Sequence, residues 1–466
     1  MPEPPDRPSR DAAQGPSEAP AAPPAPTPAP APAEAATGAR SARKRSAFRG
    51  ALLFLVSVLI TFALEHYAEE VLLRGEEPAG VSQTVFGVNG LYTFLVTTAP
   101  LHEVTRRTVL VPIDPASDPT AAGLAGNICE QRKYLADLLD AIVSLPGPPM
   151  AIVIDKAFGP GACSTYGAAD PTPQFVAAVQ RAAAGTPVVV AVYSESEANE
   201  IPGAAGRIGP SLDLGPRVHQ GIANFPEAPN QLALGWNMFD PERGGLRWYS
   251  SLALEAAALA ERKLFVKDPT LKSMMEAGQT PYMNLIPPTR MDQILAGEFL
   301  CQSRRPWTQA GAQERCRSLA AYAAPADGTA RPTPDYVQGK IVIIGERGTS
   351  LDMHATALGS IAGVELQATA IEALLGETYF RTLPDWVNLL LGLLLFGAVH
   401  WVLMDENSLR CLFRLGCVLA VSAIGVLIAA RGFHYYVTPA AGLLAMALRL
   451  IAWIGERVGK IGETHA

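Results

Sequence analysis

Charge is scarce in this chain. Only 17% of its 466 residues are Asp, Glu, Lys or Arg, against about a quarter in average soluble domains, so a wholly soluble protein is a poor fit. A basic excess is missing as well. The 37 Lys and Arg stand against 44 Asp and Glu, for a net charge of −7, which argues against bulk nucleic-acid binding. The catalytic signatures are missing too. There is no Gly-x-Ser-x-Gly elbow, no phosphate-cradling Gly-x-x-x-x-Gly-Lys-Ser/Thr loop and no His-Glu-x-x-His zinc motif. Gly345-Glu-Arg-Gly348 is a lone Gly loop, weak as a nucleotide site. No Cys-x-x-Cys and no nearby His pair offers metal-ligand spacing. The chain is therefore not expected to be an enzyme, nor to carry a metal or cofactor.

What is present is apolar. Hydrophobic residues make up 49% of the chain, and the mean hydropathy is +0.16. These residues are unevenly distributed. Residues 1–46 form a Pro/Ala-rich tail, including a Pro-Ala run from Pro20 to Pro32, with nothing to bury and an expected disordered, polyproline-II-biased state. The basic cluster Arg40, Arg43, Lys44, Arg45 and Arg49 precedes an uncharged run, Gly50–Leu64. Residues 47–65 read as an uncleaved signal anchor with its basic flank in the cytoplasm. Residues 66–384 contain no further span and form one block beyond the membrane. Three apolar runs follow, at 385–404, 411–430 and 437–455, with a short tail at 456–466. Four spans and two cytoplasmic termini are expected, in a bacterial inner membrane with the large block in the periplasm. Tyr435 and Tyr436 read as interfacial anchors, as do Trp386 and Trp401. Arg449 reads as snorkelling to the headgroups, and His400 and Asn388 as helix-packing residues.

Of the six cysteines, Cys411 and Cys417 lie in a span and read as small apolar residues. Cys129, Cys163, Cys301 and Cys316 lie in the external block. An oxidising compartment suggests two disulfides with three possible connectivities, and the sequence-local pairs Cys129–Cys163 and Cys301–Cys316 are the expected ones.

The external block reads as α/β. Thr108–Ile113, Met150–Ile154 and Pro187–Val192 are short apolar runs rich in β-branched residues. Helical patterns at about 129–144 and 172–184 alternate with them. This alternation implies a mostly parallel sheet with helices on both faces. A less regular middle contains Gly221–Phe225 and Trp236–Trp248, whose aromatics Trp236, Phe239, Trp248 and Tyr249 read as core or rim. A helix follows at about 250–261. A late strand, Gly339–Gly345, enters a Gly-containing loop, and a helix runs from Gly363-Val-Glu365 to about Leu375.

Four stretches carry a family resemblance. They are Val109–Asp114; Ala151–Phe158 with its Asp155-x-x-Phe158 ending; Gly221-Ile-Ala-Asn224 followed by Asp240 and Arg247; and Gly339–Gly345 followed by Asp352 and Gly363–Leu375. Together they resemble the type-two CHASE domain, an extracytoplasmic sensory domain associated with cyclases and histidine kinases. The resemblance covers roughly residues 75–384, most closely at the end, and three spans after the domain match that family's layout. Pro112 and Lys156 depart from its usual apolar pattern. A cytoplasmic output domain of the usual kind is not expected in this chain.

Asp114 and Asp155 are expected at the carboxyl ends of neighbouring strands, where open α/β sheets bind ligands. Asp352 and His354 follow the Gly345–Ser350 loop, and Arg247 would supply a positive partner. Such Asp residues also serve to cap helices and tie loops. As a cluster, Asp114, Asp155, Arg247, Asp352 and His354 would bind a small polar ligand or a cation. The expected function is a membrane-anchored sensor of a small ligand or envelope state. It would act through a partner chain, either a membrane-bound kinase or cyclase or a second copy. An envelope scaffold is the alternative, and an anchored periplasmic hydrolase a lesser one.

Overall fold

The computed structural model describes residues 104–455 except 125, 193, 196–203, 225–230, 277–278, 303–306, 308–310, 323–331, 348–352, 357, 405–407 and 438–444, together with Leu52, Phe54, Leu55, Val56 and Leu59. The chain divides into two units, Met1–Leu52 and Leu53–Ala466, and every described residue except Leu52 belongs to the second. The tail expected at 1–46, the terminal segment 456–466 and most of the first apolar run lie outside the described residues.

The strands are β1 (Thr108–Ile113), β2 (Ala151–Ala157), β3 (Val188–Val192), β4 (Ser194–Glu195), β5 (Gly206–Ile208), β6 (Val218–Ile222), β7 (Gly235–Asp240), β8 (Gly245–Ser250), β9 (Ile341–Glu346), β10 (Met353–Thr356), β11 (Gly359–Ala362), β12 (Arg381–Thr382) and β13 (Tyr435–Tyr436). The helices are α1 (Ile128–Val143), α2 (Thr172–Gly185), α3 (Leu252–Ala260), α4 (Leu264–Lys267), α5 (Pro269–Glu276), α6 (Ala296–Gln302), α7 (Ala312–Tyr322), α8 (Gly363–Leu375), α9 (Asp385–Leu403) and α10 (Ser408–Phe433).

The centre is a five-stranded sheet in the order β1-β9-β2-β3-β6, parallel at every pairing. Its strands read as unbroken apolar runs because both faces are covered. Val109, Val111, Ile152, Ile154, Val342 and Ile344 pack into one core with α1, α2 and α6. Leu110, Ala151, Val153, Ile341 and Ile343 pack into another with α3 and α8. Local chemistry starts the helices. The Asn127 side chain accepts from Glu130 N at the head of α1, and Ser251 accepts from Leu254 N at the head of α3.

The strand order corrects one expectation. β1 and β2 are not neighbours, because β9, which comes nearly two hundred residues after β2, inserts between them. Pro112 also finds its reason here, since β1 is an edge strand. Leu110 N bonds Asp292 O on the open side. Two residues on, the Pro112 nitrogen faces the same side, where the ladder needs no donor.

The middle, irregular by its sequence, contains β6 and a second sheet in the order β4-β5-β7-β8. That sheet packs beyond the ends of β3 and β6 through Val192, Ile208, Ile222 and Met238. Trp236 and Tyr249 pack against this cluster, while Trp248 is exposed. Gly221 is required where β6 passes α3. A Cβ there would sit 2.6 Å from Leu252 Cα, a backbone contact that nothing can relieve.

Both expected disulfides are present, Cys129–Cys163 and Cys301–Cys316. Cys411 and Cys417 are free.

Two of the described helices are long and apolar enough to cross a membrane, over Trp386–Leu403 and Leu409–Phe433. Two of the four expected spans are thus found among the described residues. In the third C-terminal run those residues form the shorter apolar helix Ala445–Gly455. In the first run they are a few helical positions, among them Phe54, whose ring lies 5.6 Å from that of Phe396. Arg449 packs between helices. It is 8% exposed, and its Nε lies 3.3 Å from His400 Nδ1. Tyr436 packs inside the protein. It is buried in β13, which pairs with β12, and its ring sits 4.5 Å from that of Tyr282.

Candidate functional site at the carboxyl edge of the sheet

The five parallel strands all end on one side, and the polar residues that follow them gather there. Asp114 closes β1 and is 7% exposed. Its Oδ1 accepts from the N–H groups of Ala116 and Ser117, both at 3.0 Å, so this carboxylate ties its own turn. Asp155, in β2, pairs in register with Gly345 of β9. With β9 between them, the Asp114 and Asp155 backbones are two strand spacings apart, about 10 Å.

The groups at the centre of the edge are not among the expected site residues, although Lys156 stands out as a departure from the family pattern. Lys156 Nζ contacts Glu346 Oε1 at 2.8 Å and also donates to Gln131 Oε1 of α1. Arg347 Nη2 donates to Gln293 Oε1 at 2.9 Å and to Glu365 Oε1 of α8. Glu365 Oε2 in turn accepts from Ala362 N, at the start of the same helix. Lys156 and Glu346 keep about a fifth of their side-chain surface, whereas Glu365 keeps 9%. The helix comes this close because residue 345 is Gly: a Cβ there would meet Val364 Cγ2 at 2.6 Å.

His354 lies on β10, opposite Ile361 of β11. Asp352 falls outside the described residues. Arg247 is not at this edge. It lies exposed on β8 and donates to Arg243 O at 3.4 Å. The same hairpin holds Asp240, buried at 3% exposure. Asp240 Oδ1 accepts from Glu242 N and Arg243 N, and Oδ2 accepts from the Tyr249 hydroxyl at 2.5 Å. Burial pushes the Asp240 carboxyl up, but these donors outweigh it and hold the group below the usual range. Burial, then the bond to Asp240, pushes the Tyr249 hydroxyl up to about 12.

The opposite, amino edge holds a carboxylate that the sequence does not single out. Glu372 of α8 is fully buried. Its Oε2 accepts from Thr105 N at 2.8 Å and Thr105 Oγ1 at 2.5 Å. Its Oε1 accepts from Thr108 N at 2.8 Å and Thr108 Oγ1 at 2.7 Å. Glu365 and Glu372 are seven residues apart, about two turns, so both face the sheet. One helix thus grips the carboxyl edge with its first turn and the amino edge with its last. The chain then continues through β12 into α9. Arg381 N bonds His434 O at 2.7 Å, which joins β12 to the segment following α10.

Among the described residues no group of three or more His, Cys, Asp or Glu is placed to hold a metal ion. No curated protein and no solved structure matches the chain. The model of the CHASE2 domain matches residues 72–401, well over half of the chain. The match runs from ahead of β1 through the sheet and α8 into α9, and the chain therefore belongs to the CHASE2 family of extracytoplasmic sensory domains.

Proposed function

We propose that this protein is a periplasmic sensor anchored in a bacterial inner membrane by four spans, with both termini in the cytoplasm. It detects a small ligand or envelope state and relays it to a partner chain, either a kinase, a cyclase or a second copy, without catalysing a reaction itself. The observation that carries this reading is α8, bonded to the strand ends through Glu365 and to the chain entering β1 through Glu372. A ligand that favours a different arrangement of the carboxyl edge would displace this helix, and α9 follows it in the chain. The size of the shift equals the ligand's differential affinity for the two arrangements. A scaffold reading draws on a different fact. Lys156 and Arg347 already neutralise Glu346 and Glu365 within the chain.

The test is photo-crosslinking in intact cells from a probe replacing the exposed Leu394 of α9, with mass spectrometry of the adducts. A kinase, a cyclase or a second copy is the expected product. Recovery of envelope or transport components alone would replace the sensor with the scaffold.

A further inference from the structure

Away from the strand ends, a cleft of about 380 Å³ opens between edge strand β6, the Arg207–Ser211 segment and the turn joining β7 to β8. Arg207, Ser211, Gln220, Asp240, Arg243 and Tyr249 are among the residues that line it. Two carboxylates line it, Asp240 and the exposed Glu242, and the first is committed within the protein. Asp240 receives two backbone N–H groups and the Tyr249 hydroxyl, which spends most of its charge inside the protein. The basic wall is only partly committed. Arg207 makes no side-chain hydrogen bond or ion pair to any described residue, and Arg243 pairs with Asp240 through Nε alone, 3.9 Å from Oδ2, a long ion pair beyond hydrogen-bonding reach. Two guanidinium groups with open donors therefore face one polar cleft, and their planar forks match a carboxylate in two-point contact. Gln220 and Ser211 add neutral polar groups. The volume is at the lower end for small-molecule sites.

We infer that this cleft binds a small organic anion, with its carboxylate held by Arg207 and Arg243 and its remaining polar groups by Gln220 and Ser211. The site lies on the second sheet and Gln220 of β6, so the anion would bridge that sheet and the edge of the central one. Binding here does not depend on the relay proposed above. A cleft that binds while crosslinking recovers no signalling chain would leave this inference standing and remove the other.

The experiment is isothermal titration of the full chain in lipid nanodiscs with succinate and, separately, with inorganic phosphate. Succinate is expected to bind. Arg207→Ala and Arg243→Ala should each weaken it by roughly tenfold, one charge-assisted hydrogen bond's worth, with Arg207→Lys retaining part of the affinity. Lys272→Ala, an exposed lysine outside the cleft, should bind as the parent does. Circular dichroism of each variant separates lost binding from lost fold. Four outcomes would overturn the inference: no heat with succinate at millimolar concentration, phosphate binding in its place, affinity unchanged in both Arg→Ala variants, or an equal loss in Lys272→Ala.

Discussion

The two ends of the central sheet are fastened by different chemistry. At the amino end one carboxylate, Glu372, is wholly buried and receives four hydrogen bonds from Thr105 and Thr108. At the carboxyl end two ion pairs do the fastening, with Lys156 and Glu346 still partly in water. A buried, saturated carboxylate leaves no cheap alternative arrangement, because breaking it strands donors and charge in the interior. A partly exposed pair can exchange its partner for water at lower cost. The amino end is thus built to hold, and the carboxyl end to adjust. The same helix, α8, carries one member of each fastening.

Substitutions can break that contrast. The largest effect is expected for Glu372→Ala, a loss of about 4 kcal/mol from stranding the Thr105 and Thr108 donors. Denaturant unfolding of the full chain in detergent measures it. A loss no greater than at the carboxyl end would erase the distinction. Next comes Cys163→Ala, which opens the covalent link at the carboxyl side between the start of α1 and the turn after β2. It should cost about 3 kcal/mol. Hydrogen exchange should rise around residues 127–170 but not at 105–109; a rise at both ends would mean that they unfold as one.

Gly345→Val forces a side chain against Val364 and should cost about 2 kcal/mol through overpacking, seen as a lower midpoint. An unchanged midpoint would show that α8 moves away freely. Lys156→Met should change stability by less than about 1 kcal/mol, as for a partly exposed pair. A larger loss in the same unfolding measurement would make the carboxyl end as rigid as the amino end.

The smallest effect is a pH dependence in the second sheet. Tyr249 is raised from 10.0 to about 12, so its contribution is complete below pH 10.0 and lost as pH rises towards about 12. Asp240 is held below 3.8, so its contribution is present above that pH and lost as pH falls through its folded value. An ultraviolet titration comparing the parent with Tyr249→Phe should lose one late-ionising tyrosine. An identical alkaline curve would place Tyr249 outside this bond.

Much of the sheet was legible along the chain, because each buried strand carries its own apolar run and each helix its own cap or period. The disulfides were legible too, since local pairs need only nearby turns. β6, in contrast, carries the adjacent polar residues His219 and Gln220 at the sheet's edge, and β7–β8 is only partly buried, so neither resembles a buried strand. Of the expected site, Asp155 proved to lie at the edge beside Gly345, Asp114 ties its own turn, and Arg247 stands on the other sheet. Glu346, Arg347 and Glu365 are given no site role because in sequence each is an ordinary charged residue beside a loop or at a helix start. Glu372 sits mid-helix among apolar residues, with no local sign of the threonines more than 260 positions away that it grips.

The sequence by itself determined the α/β alternation, the cysteine pairs, the apolar C-terminal helices and the family, since all of these rest on short windows of residue type and spacing. Only the tertiary structure decided that β9 inserts between β1 and β2, that α8 is fastened at both ends, and that Arg207 and Arg243 face one cleft. Strand order and long-range carboxylate contacts are chosen by the packing of distant segments against one another, and no local window carries that information.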